Sequence, residues 1–508
     1  MPPPPNPKRR LLLAATATLP VWVAPFGVAP SARAQSHTAA PITQTRLARY
    51  EGLKVSAVSA FLGIRYGADT ATTRFQPPRA FLPTEANVRA QQHGAISPQR
   101  NRTSEPQSED CLFLNIWTPD ADARAKRPVM VYIHGGAYAT GSGNDPVTQG
   151  APLAARGDVV VVTVTHRLNA LGYLYLGRID PRFPDSGNAG QLDLILALQW
   201  VRDHVAAFGG DAHNITVFGQ SGGGAKIATL LGTPAAKGLF HKAITMSGQQ
   251  VTASGPQNAT ARARAFLAKL GKDPAIATQQ ELVAALDAVD PILGGGVYFG
   301  PVLDGRTLTR HPFYPDAHPQ GLSVPLLLGN TISETRAFFP PAHAKLQGLT
   351  WDNLAERLGP ELRVDISPEL VVARYREWFR EYSPEQVFIA ATTAGRSWRG
   401  QLIEAEERAK AGAPAWVYQL NFENAMHTAD IGLAFGTVPS PTAAQKAMSE
   451  RLMDVFLRFT KNGDPGWPAY VLPERKTMVF DVESRVVDNP RGRERELFAT
   501  VPYIQPGT

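Results

Sequence analysis

The chain has 508 residues, 44% of them hydrophobic, so it can bury a large core as one big domain or as two or three ordinary ones. Charged residues make up 19% and form no long run of one sign, which excludes a disordered or tail-dominated protein. Four of the positive charges behind the net charge of +7 lie in the first 34 residues, and subtracting them leaves +3 spread along the rest. This weak excess predicts no nucleic-acid partner.

The first 34 residues are typical of an export signal. A basic stretch at residues 8–10 precedes an apolar stretch to about residue 29, and Ala-Arg-Ala at residues 32–34 fits the small-residue rule for cleavage. Two adjacent arginines before three leucines are compatible with a twin-arginine signal. We therefore expect a mature chain that begins near Gln35, in the periplasm or outside the cell. No later stretch approaches the ~20 apolar residues of a membrane-spanning helix, so no membrane span is predicted in the mature chain.

After this leader, predicted strands alternate with predicted helices. Short apolar and β-branched stretches indicate strands, in chain order, at residues 61–66, 108–117 (which begins as a polar turn), 128–133, 158–165, 215–218, 242–246, 324–328 and 415–420. Helices are indicated at about residues 188–207, 225–231, 281–289 and 369–381. This alternation predicts a mostly parallel sheet with helices on both faces, in which ligands bind beyond the carboxyl ends of the strands.

Metal and cofactor sites are not indicated by the sequence. Cys111 is the only cysteine, so no internal disulfide can form, and a lone cysteine is more often a buried apolar residue than a nucleophile. The H-E-x-x-H and C-x-x-C patterns of metal sites are absent, and so is a G-x-x-x-x-G-K-[ST] phosphate loop. We therefore predict neither a metal nor another cofactor.

The most informative motif is Gly219-Gln220-Ser221-Gly222-Gly223, a G-x-S-x-G pattern between a predicted strand and a predicted helix. A serine on a sharp turn from strand to helix projects into a pocket, and its glycine neighbours leave room for the strained backbone. The first N–H groups of the helix face any negative charge that develops there. The alternative is a chance match, because only three letters of the pattern are fixed.

A serine nucleophile needs an oxyanion hole, an acid and a base. The glycine-rich turn at residues 134–138 follows a strand and offers backbone N–H groups, although it is also compatible with an ordinary tight turn. In this type of fold the chain order is serine, acid, histidine, and His427 follows the strand at 415–420. Glu334 follows the strand at 324–328, but Asp304, in an Asp-Gly turn, is its rival, and spacing alone leaves both open.

Several of these stretches together resemble one family, the type-B carboxylesterase/lipase family that includes the cholinesterases. The stretches are residues 108–115, 208–223, 63–66 with 74–78, and 461–465, so the resemblance covers nearly all of the mature chain. It implies one α/β-hydrolase domain over residues 35–508. The expected fold is a large, mostly parallel central sheet flanked by helices, with helical insertions over the active site.

The resemblance also implies a serine carboxylesterase that hydrolyses carboxylic esters, of small molecules or lipids, through an acyl-enzyme and without a cofactor, and the leader adds the expectation that it is secreted. It favours Glu334 over Asp304 as the acid. The alternatives are a lipase or acyltransferase with the same triad, and a catalytically inactive binding protein on the same fold. By position, the nucleophile, acid and base are Ser221, Glu334 and His427, and the oxyanion hole is formed by Gly136, Ala137 and Gly222.

Three residues depart from the family pattern. Gln220 stands where cholinesterases have a glutamate, which weighs against a choline ester substrate. Ser97 stands where many members have the cysteine that pairs with the one at Cys111, and Gly222 replaces the more usual alanine. The substrate-pocket walls are expected from around residues 294–298 and 336–347, whose sequence does not indicate which ester is bound.

Overall fold

The predicted alternation of strands and helices is present in this computed structural model, which describes residues 39–100, 103–505 and 507. The predicted leader and its cleavage site lie outside these residues, and residues Ala40–Thr508 form one compact unit. The described residues form fourteen strands: β1 (Ile42–Gln44), β2 (Arg49–Glu51), β3 (Leu53–Val55), β4 (Val58–Arg65), β5 (Asn87–Arg89), β6 (Phe113–Thr118), β7 (Arg127–Ile133), β8 (Val160–Val164), β9 (Gly210–Gln220), β10 (Lys242–Met246), β11 (Leu326–Thr331), β12 (Ala415–Leu420), β13 (Lys476–Phe480) and β14 (Arg485–Asp488).

The described residues also form thirteen α-helices, most of them between the strands. They are α1 (Ala151–Gly157), α2 (Asn169–Tyr173), α3 (Ala189–His204), α4 (Gly222–Leu231), α5 (Pro256–Leu270), α6 (Gln279–Ala285), α7 (Leu354–Leu362), α8 (Pro368–Trp378), α9 (Pro384–Thr393), α10 (Arg399–Lys410), α11 (Ala429–Phe435), α12 (Ala443–Asn462) and α13 (Gly492–Phe498). A π-helical turn, Ala394–Trp398, joins α9 to α10. None of the helices in the described part of the chain is long and apolar enough to cross a bilayer.

Eleven strands form one sheet in the order β14-β13-β12-β11-β10-β9-β7-β8-β6-β4-β3. The strands from β13 to β8 in this order are parallel, and those at both edges are antiparallel. Parallel strands are normally covered on both faces, and β8, a run rich in valine, is buried along its whole length. The remaining strands, β1, β2 and β5, form a separate three-stranded sheet.

Alternate side chains of the strands enter two different apolar layers, because successive residues of a strand point to opposite faces. In β7, Val131 belongs to the layer that includes Leu198 of α3, whereas Tyr132 belongs to the layer that includes Phe456 of α12. The core therefore lies on both sides of the sheet. The loops at the carboxyl edge of the sheet lie outside these two layers, where functional residues are expected.

Strand register brings the segments that carry the candidate residues to one edge. Gly219 of β9 is paired with Thr245 of β10, which in turn is paired with Leu328 of β11. Leu328 is paired with Val417 of β12. The three loops that follow β9, β11 and β12 therefore begin side by side at the carboxyl edge of the sheet.

Predicted and observed element bounds agree closely for the central strands and less well for two helices. β10 and β12 have the predicted bounds. The helix predicted at residues 281–289 is wrong at its C-terminal end: α6 ends at Ala285, and Val289 instead forms a bridge with Gly296. The helix predicted to end at residue 381 ends at Trp378, where the backbone of Phe379 (φ −128°, ψ 69°) leaves helical geometry.

Candidate active site

Ser221 lies on a strained turn, residues 219–223, which we call the serine turn. Its backbone has φ 55° and ψ −124°, which is rare for a non-glycine residue, and its N–H donates to the carbonyl of Met246 over 2.7 Å. A Cβ atom at Gly219 would lie 2.6 Å from the carbonyl oxygen of Ile133, and one at Gly223 would lie 2.0 Å from it. Both glycines are therefore required, because the atom that they approach belongs to the backbone.

The imidazole of His427 is paired with the carboxylate of Glu334. Nδ1 of His427 donates a short hydrogen bond to Oε2 of Glu334, whose side chain is fully buried. The other oxygen, Oε1, accepts from the hydroxyl of Ser247 and from the N–H of Thr331, the latter over 2.8 Å. Glu334 is thus held by Ser247, which follows β10, and by Thr331, the last residue of β11. The proton on Nδ1 leaves the lone pair of the neutral ring on Nε2.

Each member of this pair changes the pKa of the other. Burial alone would raise the pKa of Glu334, but the charge and hydrogen bond of His427 and the donors Ser247 and Thr331 outweigh it, so that pKa is lowered. Burial alone would lower the pKa of His427, but Glu334, and more weakly Asp430, outweigh it and raise that pKa. The buried pair therefore favours an ionised carboxylate and a more basic imidazole.

The pocket beside this pair has a volume of about 200 Å³ and is lined by both Ser221 and His427. Nε2 of His427 lies 3.2 Å from the side-chain amide nitrogen of Gln220, and among the described residues Ser221 forms no hydrogen bond to the ring. The structure thus brings serine, imidazole and carboxylate together, with a Gln220 amide at the nitrogen that was expected to face Ser221. A larger cavity, of about 730 Å³, is lined by none of these three residues.

The residues predicted for the oxyanion hole lie against the serine turn. Gly136 and Ala137 have φ of 80° and 52°, and no described residue accepts a hydrogen bond from their N–H groups. A Cβ atom at Gly222 would lie 2.5 Å from Cα of Ala137, so the two turns are in contact. Gly222 is the first residue of α4, and its N–H has no acceptor within the helix.

Lys226 lies beneath these two turns and was not identified from the sequence. Its side chain is fully buried, and its Nζ donates to the carbonyl of Ala137 over 2.7 Å and to that of His134 over 3.2 Å. The same ammonium lies 5.2 Å from the ring centroid of Tyr138. Burial lowers the pKa of Lys226 to about 7, and burial together with Lys226 lowers the pKa of His134 to about 3. A lysine in the otherwise apolar start of α4 is the signal that could have identified it.

The rival acid and the lone cysteine have structural contacts. Asp304 accepts from the N–H groups of Arg306 and Leu308, over 3.0 and 2.9 Å, and so closes a turn. Cys111 is buried and unpaired, and burial raises the pKa of its thiol. Ser97 lies against that thiol, at the position where the family pattern has the second cysteine.

The pocket walls come only partly from the predicted segments. Tyr298 and Phe338 belong to those segments and line the pocket. Arg363, which follows α7, and Arg396, in the π-helical turn, also line it and were not predicted. Ser247, which holds Glu334, was missed as well, because nothing in the sequence connects a loop after β10 to a carboxylate after β11.

A serine on a strained strand-to-helix turn, beside a buried histidine–carboxylate pair, is the arrangement of the serine hydrolases. A family model described as the carboxylesterase family matches residues 39–494, so the chain belongs to the carboxylesterase family. The predicted family and the predicted α/β-hydrolase fold are both confirmed. The protein is a serine carboxylic ester hydrolase that acts on small-molecule esters.

Individual relatives agree with this assignment. The chain is 32% identical over 501 residues to the para-nitrobenzyl esterase of Bacillus subtilis (strain 168), an alignment that covers 90% of this chain and 98% of the relative. It is 30% identical over 519 residues to human carboxylesterase 3, with 87% of each chain covered. The solved structure of a Geobacillus stearothermophilus carboxylesterase superposes with a TM-score of 0.81 at 33% identity, covering 90% of this chain and 99% of the other.

Proposed function

We propose that Ser221, His427 and Glu334 form the catalytic triad of this esterase. The observation that carries the proposal is the hydrogen bond from Nδ1 of His427 to the buried carboxylate of Glu334, in the pocket that Ser221 lines. This bond fixes the tautomer in which Nε2 accepts a proton. In the proposed mechanism the Ser221 hydroxyl donates to Nε2 in place of the Gln220 amide.

In the first half of the proposed reaction, Ser221 Oγ attacks the ester carbonyl carbon while Nε2 of His427 takes the hydroxyl proton. The carbonyl π electrons move to the oxygen, and the N–H groups of Gly136, Ala137 and Gly222 bind the resulting oxyanion. One such donor contributes about 3 kcal/mol to lowering the barrier. The intermediate collapses when the oxyanion re-forms the carbonyl, the bond to the alkoxy group breaks, and the imidazolium protonates the departing alkoxy oxygen to give the alcohol.

In the second half, water attacks the acyl-enzyme by the same route. His427 takes a proton from the water, the acid forms, and the Ser221 oxygen leaves and regains its proton from the imidazolium. Glu334 stays ionised throughout and stabilises the imidazolium each time that it forms. The lowered pKa of Glu334 supports this role, since the carboxylate remains charged at neutral pH.

Replacing Ser221 tests this mechanism directly. The S221A variant should fold like the wild type, as judged by circular dichroism, and should lose at least about 10⁴-fold in kcat, because the covalent route is removed. Ser323→Ala, an exposed serine, is the matched control and should keep full activity. Full turnover of p-nitrophenyl butyrate by the S221A variant would rule out the assignment.

The preferred ester is tested by a panel of p-nitrophenyl esters from acetate to palmitate. A carboxylesterase prefers the short, dissolved esters, whereas activation on emulsified long-chain glycerides identifies a lipase. Acyl transfer to an added alcohol, measured by product analysis, identifies an acyltransferase with the same triad.

We also propose that the mature chain is exported, to the periplasm or beyond the cell. The basic, apolar and small-residue stretches of the first 34 residues support this proposal. N-terminal sequencing of the protein from the periplasmic and culture fractions should find a start near Gln35. An intact leader on protein confined to the cytoplasm would contradict it.

A further inference from the structure

The charges in the wall of the reactive pocket are of one sign. The described residues that line it include Arg363 and Arg396, and they include no aspartate and no glutamate. Two buried carboxylates lie behind the lining residues: Glu334, which is paired with His427, and Glu404, which accepts from the N–H of Gln250 over 2.7 Å. Burial raises the pKa of Glu404 to about 8, so it is mostly uncharged at neutral pH. A substrate in this pocket therefore meets two guanidinium groups and no lining carboxylate.

Arg396 is placed close to the reacting groups by an unusual piece of backbone. It lies in the π-helical turn Ala394–Trp398, and single π-helical turns occur frequently at functional sites. Its guanidinium lies 5.9 Å from the ring centroid of Phe338, and that ring lies 4.9 Å from the ring of His427. Only one aromatic ring thus separates Arg396 from the imidazole, with the side chain of Arg396 14% exposed.

The ion pairs of these two arginines do not balance their positive charge. Arg396 forms an ion pair of 3.0 Å with Glu361, which also lies 3.5 Å from Lys345. Arg363 is exposed, has φ 58° at the C-terminal cap of α7, and among the described residues forms no ion pair. Arg396 and Lys345 therefore share the single carboxylate of Glu361, and Arg363 adds a further positive charge. Burial and the charge of Arg363 lower the pKa of Arg396 to about 10, which still leaves it protonated at neutral pH.

We propose that Arg363 and Arg396 bind a carboxylate of the substrate, so that the enzyme prefers esters that carry a second, ionised acid group. Half-esters of dicarboxylic acids and partial esters of polycarboxylic acids belong to this class. The planar fork of a guanidinium binds a carboxylate through two charge-assisted hydrogen bonds, and burial near Phe338 strengthens the attraction. This inference rests on the proposed function, because it requires Ser221 to attack an ester held in the same pocket.

The test compares matched anionic and neutral esters. p-Nitrophenyl hydrogen adipate and p-nitrophenyl hexanoate have six-carbon acyl groups and differ in the terminal carboxylate. 4-Carboxyphenyl and 4-carbamoylphenyl hexanoate place the same difference on the alcohol side. The wild type should show an anionic-to-neutral ratio of kcat/KM of at least about ten in one of the two pairs, and the preference should weaken as salt is added.

The variants R363Q and R396Q should each lower this ratio, by about ten-fold, mainly through a higher KM for the anionic ester. In R396Q, Glu361 keeps Lys345 as an ion-pair partner. If R396Q nevertheless folds poorly, R363Q still tests the inference, because Arg363 is exposed. The control Arg264→Gln removes one exposed positive charge outside the pocket and should leave the ratio unchanged.

Ratios near one for both ester pairs, or ratios that neither arginine variant changes, would overturn the inference while leaving the esterase mechanism in place. An equal loss in the R264Q control would also overturn it, because the effect would then come from net charge. Loss of the mechanism itself is recognised separately, since ester hydrolysis would then persist in the S221A variant.

Discussion

The serine turn and the arginine-bearing wall of the pocket are built on opposite principles. In the serine turn, glycines pack against backbone atoms, and a Cβ atom at Gly223 would lie 2.0 Å from the carbonyl oxygen of Ile133. In the wall, charged side chains are presented by a helix end and by a π-helical turn, from segments that are distant along the chain. Backbone packing fixes the position of the nucleophile, whereas in our proposal the choice of substrate depends on side chains that can be exchanged.

The first prediction compares one glycine from each region and has the largest expected effect. G223A should prevent correct folding or abolish activity, since a clash with the backbone at 2.0 Å cannot be relieved by a side-chain movement. G395A, in the π-helical turn, should lower stability by no more than about 1–2 kcal/mol, because its nearest contacts would be at 3.2 Å. Soluble yield and thermal unfolding measure both variants. A G223A protein as stable and active as G395A would contradict the claim that the serine turn tolerates no side chain at this position.

The second prediction concerns the acid that orients the imidazole. E334Q should lower kcat by about 10³–10⁴-fold, because an amide in place of the carboxylate no longer fixes the Nδ1–H tautomer or stabilises the imidazolium. The buried site makes a stability measurement necessary alongside the kinetics. D304N changes the rival acid in the same way and should retain nearly full activity. Equal losses in the two variants would remove Glu334 from the mechanism.

The third prediction tests whether Lys226 positions the turn at residues 134–138 through its hydrogen bonds to the carbonyls of His134 and Ala137. K226M keeps the length of the side chain but removes the donors to Ala137 and His134, so kcat should fall about 10–100-fold with little change in KM. K237M, at an exposed lysine, is the control. A change confined to KM would assign Lys226 to substrate binding instead. An unchanged kcat in a stable K226M protein would show that the turn holds its shape without it.

The fourth prediction has the smallest effect and concerns pH. Asp430 is one of the groups that raise the pKa of His427, but burial and Glu334 raise the pKa of Asp430 itself to about 7, so it is only partly ionised at neutral pH. D430N should therefore lower the pKa of His427 slightly and move the acid limb of the kcat/KM profile a short way to lower pH. At any one pH the rate should change by less than about ten-fold. Asp430 also accepts from the hydroxyl of Tyr418 over 3.2 Å, and Y418F tests whether losing that contact alone moves the limb. A shift to higher pH in D430N would contradict the assigned electrostatics.

The two regions also differ in how far the sequence predicts them. The strand, turn and helix around Ser221 follow from apolar β-branched residues, a glycine-rich pattern and helix-forming residues that are adjacent in the chain. The bounds of β10 and β12 were correct for the same reason. Glu334 could not be separated from Asp304 by spacing, because the choice depends on which loop meets His427 in three dimensions.

The wall could not be predicted because its residues meet only after the helices pack. Arg363 and Arg396 resemble ordinary surface arginines in the sequence, and only the structure places both beside Ser221. Gln220 is an intermediate case. Its departure from the cholinesterase pattern was visible in the sequence, but its position 3.2 Å from Nε2 of His427 was not, because that distance depends on how the loop after β12 packs against the serine turn.

Reaction with a fluorophosphonate, followed by peptide mass spectrometry, tests the central claim most directly. The account predicts one adduct per chain, on the Oγ of Ser221, with loss of esterase activity in proportion to labelling. The same treatment of the S221A variant should leave that peptide unlabelled. An adduct on a different residue that abolishes activity, or undiminished turnover in fully labelled protein, would contradict the claim that Ser221 is the nucleophile.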